Sequence, residues 1–402
     1  MIVNLLLLLH LVYPMDICVL NPFFYPYAGG TEKVLLEVYR RLAKKHNITV
    51  LTSAPPGSKK DTVGEVEGIK VIGLKSEHVL VPAAPLPFVV MDGLVGAVKK
   101  AGCEMYHINN RYQYFDDCVK AVREVRGKLA LTVHNALPIG IDPLVDTLGL
   151  AYDVAWGRRL MHEVDLITGI SKNTIETTVP KKDMAKTHLV YNGVDYRMFK
   201  PVGKNNREVN RIMVGLGETC CANDANVVTN GRLVEQKGQI YLIRALAELA
   251  KEGYDIGLLI VGRGPLEKAL TSAAQDAGLG DRFWIRNGIP EGQLPYYYNV
   301  GDFFVLPSLY EPAGLAVLEA MSCAIPAIAS DVGGIPEMLD RYGMYVKPKS
   351  TKEIGERLSY MLENKKKVAA IARRGREFAI RRYDWDKIAK RYEELFLNTL
   401  HY

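Results

Sequence analysis

Phe303-Phe304-Val305-Leu306-Pro307-Ser308-Leu309-Tyr310-Glu311-Pro312-Ala313-Gly314-Leu315-Ala316-Val317-Leu318-Glu319-Ala320-Met321 passes from an apolar run of strand length, through a short loop, into a segment of helix formers. An unbroken apolar run suits a strand covered on both faces of its sheet. Pro312 suits a first helical turn, where its missing N–H leaves nothing unpaired, so the pattern predicts a helix from there with the Gly314 and Leu315 amides among its unsatisfied donors. Glu319 lies eight residues beyond Glu311; if helical throughout, that is about 12 Å at 1.5 Å per residue.

The same strand–loop–helix unit recurs in both directions. Val227-Val228-Thr229, residues 257–261, Phe283-Trp284-Ile285 and Ala327-Ile328-Ala329 are further apolar runs separated by helical-period segments. Upstream, Val19-Leu20 and residues 48–51, 71–72, 105–108, 129–133 and 166–168 repeat the pattern, and residues 31–45 place Val34, Leu35, Val38 and Leu42 on one helix face. Strands alternating with helices imply an α/β fold with parallel sheets covered on both sides. The alternation pauses at 201–210, a stretch of Gly, Lys and Asn, and then resumes. Two doubly wound domains follow, residues 15–200 and 211–380, with a linker at 201–210 and a helical end at 381–402. Facing each other, they leave a crevice at the carboxyl ends of both sheets, where such folds place their ligands.

The chain has 402 residues, 48% of them hydrophobic, with 51 Lys and Arg against 45 Asp and Glu, a formal charge of +6. That apolar fraction with only 20 Pro excludes disorder and a collagen-like fibre. The 6 cysteines are too few for a disulfide-stapled secreted domain, and with no C-x-x-C pair they read as reduced and mostly buried. So mild a charge allows a local anionic ligand without supporting a nucleic-acid binder. Residues 1–14 include Leu5 to Leu9, an apolar patch shorter than the about 20 residues a bilayer span needs. It lacks the basic start and small-residue cleavage site of a signal peptide, so it reads as an upstream extension with Met15 as the effective start.

Chemistry is expected where strands run into loops. After the first strand, Gly29-Gly30-Thr31-Glu32 opens a helix; the glycine pair either lets backbone amides approach an anion or is only a tight turn. The G-x-G-x-x-G fingerprint is absent there, which argues against a nicotinamide dehydrogenase. In the second half, Asn230-Gly231-Arg232-Leu233-Val234-Glu235-Gln236-Lys237-Gly238 precedes a helix at 239–249. Arg232 and Lys237 are either two cations facing the crevice or two surface charges. The helix after Glu311 can hold a pyrophosphate at its tip, one carboxylate at the sugar end and the other near ribose hydroxyls. No D-x-D-type carboxylate pair stands at a strand–loop junction to call for a divalent cation.

Taken in order, Gly231-Arg232 with Lys237-Gly238, Gly262-Arg263-Gly264-Pro265, Pro307-Ser308, the Glu311-to-Glu319 segment and Ala329-Ser330-Asp331-Val332-Gly333-Gly334-Ile335-Pro336-Glu337 resemble the retaining nucleotide-sugar glycosyltransferases of family four, with a GT-B fold. Gly29-Gly30-Thr31-Glu32, Thr132-Val133-His134-Asn135 and Tyr191-Asn192-Gly193-Val194-Asp195 carry the resemblance through the first half. It implies two facing Rossmann-like domains, with the C-terminal helix around Trp385 crossing back to the first. It further implies that Arg232 and Lys237 neutralise the donor pyrophosphate and that Glu311 lies near the transferred sugar. The Gly314 and Leu315 amides would meet the phosphates, and Glu319 the ribose. His134 is implied at the reacting centre, Gly30 at the phosphate and acceptor side, Gly231 and Gly262 in the donor-binding loops, and the backbone around Asn287 against the base. The chain departs from the family at Ala313, Ala324, Asn135 and Asn109, where Phe, Gly, Asp and His are usual. Ala313 would open the donor pocket, and Asn135 removes a charge near the acceptor.

The implied reaction moves a hexosyl group from a nucleoside-diphosphate sugar to a hydroxyl of a glycan, glycolipid or lipid-linked precursor, with retention, no metal and no other cofactor. A nucleotide-sugar epimerase of the same architecture and a non-catalytic sugar-nucleotide-binding protein are the alternatives. The expected location is cytoplasmic, including the inner face of a membrane: Arg40-Arg41 and Lys44-Lys45-His46 either suit the helix dipole or touch anionic lipid. The charge runs at Lys365, Arg373 and Arg381 read as a solvated face, His107 as a strand-end histidine near the crevice, and Tyr296-Tyr297-Tyr298 as packing. No nucleic-acid partner is expected, for want of a basic stretch interleaved with aromatics.

Overall fold

The apolar runs pair side by side into two sheets in the computed structural model, which describes residues 13–26, 29–79, 88–111, 115–135, 147, 150–151 and 153–401. Residues 1–12 of the upstream extension lie outside them. Across the first sheet the order is Thr187–Leu189, Leu166–Gly169, Lys128–Val133, Met105–Asn109, Asp16–Leu20, Asn47–Ser53, Ile69–Leu74 and Thr62–Val66. All neighbours are parallel except the last pair. The second sheet, parallel throughout, runs Phe283–Arg286, Ile256–Val261, Ala225–Asn230, Phe303–Leu306, Ala327–Ser330 and Met344–Val346. In each sheet the domain's first strand lies inside, with its successor on one side and a later strand on the other. Strand order therefore reverses at the ends of Asp16–Leu20 and Ala225–Asn230, the switch points at which such sheets open a ligand crevice.

The connection between domains is shorter than expected from composition. Helix Arg207–Leu216 begins inside 201–210, with the Asn206 side chain accepting from the Glu208 and Val209 amides. Part of the Asn-rich stretch is thus a helix cap rather than linker. The helix buries Val209, Met213 and Leu216 against Val228, Leu259 and Trp284 of the second domain.

The chain ends by returning to its start. Helix Lys365–Arg382 stops at Tyr383, and Trp385–His401 packs on Gly30–Leu42 of the first domain. Trp385, Ile388, Tyr392, Leu395 and Phe396 are buried with Val34, Leu35, Val38 and Tyr39, each contributing roughly 1.5–3 kcal/mol for an apolar side chain of this size. The turn is pinned where the Val194 amide donates to the Tyr383 carbonyl at 2.7 Å. His107 is buried against the crossing helix, with Nε2 2.6 Å from Thr132 Oγ1, Nδ1 on the Tyr39 hydroxyl, and Phe396 5.3 Å away ring to ring. The basic cluster is engaged here too: Arg41 pairs with Asp386 and Glu37, Arg40 with Glu37, and Lys45 and His46 with Glu393. Arg41, Lys45 and His46 thus reach the crossing helix, while Arg40 pairs within its own helix. Among the described residues no helix is long and apolar enough to cross a membrane.

Candidate active site

Loops at the carboxyl edge of the second sheet are locked against one another. The Gly231 amide donates to the Val261 carbonyl at 3.0 Å, Gly262 to Arg286 at 2.8 Å and Leu233 to Arg263 at 3.0 Å. Only glycine fits at 262, because a Cβ there would stand 1.9 Å from the Gly231 carbonyl oxygen. The Leu309 amide donates to Gln236 at 2.8 Å, and the Gln236 side chain donates to the Tyr310 carbonyl at 3.1 Å. This bracing sets Lys237 against Glu311 in an ion pair whose side chains are 15% and 12% exposed. Arg232 stands exposed in the same loop, and Asn287 is exposed at the end of Phe283–Arg286, its Nδ2 3.5 Å from Glu267.

The helix carrying Glu319 begins later than expected. It spans Leu315–Ser322, with Gly314 left-handed at φ +72° as its N-cap. Residues 311–313 are therefore loop, and the 12 Å axial spacing for a continuous helix does not apply. Glu311 folds back so that its Oε1 accepts from the Gly314 amide at 3.3 Å. The Leu315 amide is left at the helix tip, facing an anion if one is bound. Gly333, at φ +56°, lets the chain pass under Glu311: a Cβ there would lie 2.1 Å from the Glu311 carbonyl oxygen.

Glu319 is 6% exposed. Its Oε2 accepts from the Tyr298 hydroxyl at 2.7 Å and from Asn230 at 3.4 Å, and its Oε1 from Lys33 at 2.8 Å. Lys33 belongs to the first turn of Gly30–Leu42, in the other domain, and also pairs with Glu291 at 2.9 Å. Burial alone would depress its ammonium, but Glu319 and Glu291 carry the pKa above its ordinary value. Sequence reasoning missed Lys33; the available signal was its place directly after Gly-Gly-Thr-Glu.

On the facing wall, His134 follows Lys128–Val133. Its amide donates to Asn110 Oδ1 at 3.1 Å, and its Nε2 lies 3.0 Å from Asn109 Oδ1. A carboxamide oxygen only accepts, which assigns the imidazole proton to Nε2 and leaves Nδ1 an acceptor. Burial pushes the pKa down to about 3, so the ring is neutral near pH 7. Gly30 is exposed, with nothing within 4 Å of where a Cβ would stand. At Gly29 a Cβ would lie 2.0 Å from Glu32 Oε2, whose pKa burial raises.

Among the described residues, ties between the domains include Lys33 to Glu319 and Glu291, the Ser171 hydroxyl to the Pro312 carbonyl at 2.9 Å, and Glu337, which accepts from the Lys172 and Asn173 amides at 2.9 and 3.1 Å and from the Tyr191 hydroxyl at 3.0 Å. Lys237, Glu311 and Gly314 are thus in contact and Glu319 is linked across the crevice. Among the described residues no hydrogen bond joins His134, Gly30, Arg232 or Asn287 to that group. Also among the described residues, no three His, Cys, Asp or Glu cluster as metal ligands. What the second-domain ledge presents is cations and amides, groups suited to an anion.

Residues 28–197 match the family described as Glycosyltransferase Family 4, and residues 222–378 the family described as Glycosyl transferases group 1. The GDP-mannose-dependent alpha-(1-6)-phosphatidylinositol monomannoside mannosyltransferase of Mycolicibacterium smegmatis is 33% identical over 249 residues, which are 59% of this chain and 63% of the relative. The match therefore spans a little under two thirds of that relative's length. The alpha-maltose-1-phosphate synthase of the same organism is 28% identical over 289 residues, 66% of this chain and 72% of that one. Among solved structures, Anabaena Alr3699/HepE in complex with UDP and glucose superposes with a TM-score of 0.72 at 21% identity, covering 94% of this chain and 98% of that chain. Sucrose-phosphate synthase from Thermosynechococcus elongatus does so at 0.74 and 20%, covering 95% and 98%. These likenesses establish the fold, two facing Rossmann-like domains of GT-B type.

Proposed function

Because the chain belongs to the family-four glycosyltransferases of GT-B fold, we propose that it moves a hexosyl group from a nucleoside-diphosphate sugar to a hydroxyl of a glycan, glycolipid or lipid-linked acceptor, with retention and without a metal. The observation that carries this reading is the Lys237–Glu311 pair at the tip of Leu315–Ser322, on the same ledge as buried Glu319. The mannosyltransferase relative supports including GDP-mannose among the donors and lipid-linked mannosides among the acceptors to be tried.

Departure of the nucleoside diphosphate requires negative charge to be stabilised as the C1–O bond breaks. Lys237, Arg232 and the Leu315 amide take that charge, and one preorganised donor in a water-poor site is worth about 2.7–4 kcal/mol. Lys237 exchanges Glu311 for phosphate oxygens, and the released Glu311 accepts from hydroxyls of the transferred sugar. Glu319 holds the ribose. The acceptor oxygen bonds to C1 on the face the phosphate leaves, and the acceptor's proton passes to the departing phosphate oxygen, so no protein nucleophile is needed. His134, neutral with Nδ1 as acceptor, takes a hydrogen bond from a sugar hydroxyl. Closure of the two domains excludes water and limits hydrolysis.

A thermal-shift panel of UDP, GDP and ADP with their sugars, followed by proton NMR of products with and without EDTA, tests this. One nucleotide series should raise Tm, an α-donor should give an α-linked product, and EDTA should leave the rate unchanged. An isomeric sugar nucleotide formed from donor alone would replace the reading by an epimerase, and binding without transfer across a broad acceptor screen by a binding protein. Inversion at C1, or EDTA inhibition relieved by magnesium, would overturn those two clauses.

A further inference from the structure

Lys33 reaches from one domain into the carboxylate of the other. Its side chain is 22% exposed and that of Glu319 8%. The ammonium also lies 5.0 Å over the Phe199 ring, near the connection between the domains. Glu319 Oε2 is satisfied from within its own domain by Tyr298 and Asn230, whereas Oε1 is addressed by Lys33 from across the crevice. A carboxylate oxygen has two lone-pair sites, so Oε1 can accept from Lys33 and from a ribose hydroxyl together. Charge-assisted hydrogen bonds such as this one are the stronger ones and fix the orientation of the carboxylate.

We propose that Lys33 is a positioning residue for the nucleotide: it holds the Glu319 carboxylate turned toward the ribose hydroxyls, so that ribose binding and closure of the N-terminal domain reinforce each other. This rests on Glu319 being the ribose ligand.

Calorimetry with UDP, GDP and ADP, and with the 2′,3′-dideoxy form of whichever binds most tightly, is run on the wild type, Lys33→Met, Lys33→Arg and Glu319→Gln, with Lys33→Gln replacing Lys33→Met if that variant does not fold. Removing the hydroxyls should weaken wild-type binding by roughly tenfold or more, and binding to Lys33→Met by less than about threefold. Lys33→Arg should restore most of the difference. A merely structural lysine would change overall affinity without changing that ratio. A wild-type ratio in Lys33→Met alongside its loss in Glu319→Gln overturns the role of Lys33 alone. A wild-type ratio in Glu319→Gln, or no binding of any of the three nucleotides, removes the ribose assignment and this proposal with it.

Discussion

Lys237 and Glu311 are ion-paired across two loops that leave adjacent strands, Ala225–Asn230 and Phe303–Leu306, at the switch point of the second sheet. Neither charge is placed there to hold the fold together. Each is nearly buried, and a pair of this kind stabilises little because desolvation offsets its attraction. In the proposed reaction a donor phosphate would compete with Glu311 for the same ammonium.

Lys237→Ala should therefore lower kcat by about two orders of magnitude or more, the loss of one preorganised donor to the leaving group. The thermal midpoint should fall as well, since the nearly buried Glu311 carboxylate is left without its partner, so rates are compared well below it. Steady-state kinetics alongside circular-dichroism melts check both; near-normal turnover in a folded variant would place the chemistry elsewhere.

Gly333→Ala tests the same pair from beneath. Its Cβ would need to occupy a point 2.1 Å from the Glu311 carbonyl oxygen at φ +56°. The loop must shift and carry Glu311 with it, at a stability cost of about 1–3 kcal/mol. Activity should fall far more than that destabilisation explains, and wild-type kinetics in this variant would show that the position of Glu311 does not matter.

The two sheets were legible because strands covered on both faces read as unbroken apolar runs; Leu258, Leu259 and Ile260 are all fully buried. Thr62–Val66 is exposed for most of its length and leaves no such trace. The close packing of the loops at Gly231 and Gly262 was legible as well, since a Cβ at 262 would strike the Gly231 carbonyl oxygen. The helix start was not: Pro312 suits a loop as well as a first turn, and left-handed Gly314 decides between them. Lys33 and Glu319 meet at a sequence separation of 286, a contact that exists only once both domains are placed. The cover over His107 was not legible for a similar reason, because the helix that packs on it arrives from the far end of the chain.

His107 and His134 give the protein an acid-side weakness. Burial holds both near pKa 3, against an ordinary value of 6.5. Below pH 6.5 the unfolded chain takes up protons that the folded chain refuses. Their contribution to stability is therefore complete above that pH and is lost as pH falls toward 3. The slope is about 1.4 kcal/mol per pH unit for each histidine. Urea midpoints should be nearly level from pH 7.5 to about 6.5 and fall from there to pH 5, with His107→Gln falling less steeply than the wild type. Equal slopes would mean that His107 protonates without unfolding.

The crossing helix supplies the last prediction. Gly193 lies flat beneath the Trp385 indole, and a Cβ at 193 would come within 2.5 Å of the ring. Trp385 is only 1% exposed and begins the helix that fills the core of the first domain. Gly193→Ala must push the ring outward, an overpacking strain of about 1–3 kcal/mol. Trp385→Ala should cost more, about 3–5 kcal/mol for a buried aromatic. Both act on the same contact, so the double variant should be less destabilised than the sum of the two. If the ring is displaced, trypsin should cut faster at Arg381, Arg382 or Lys387, which flank the turn. Urea denaturation and timed proteolysis of the three variants check this together; additive losses with unchanged cleavage would show that Gly193 does not support the return of the helix.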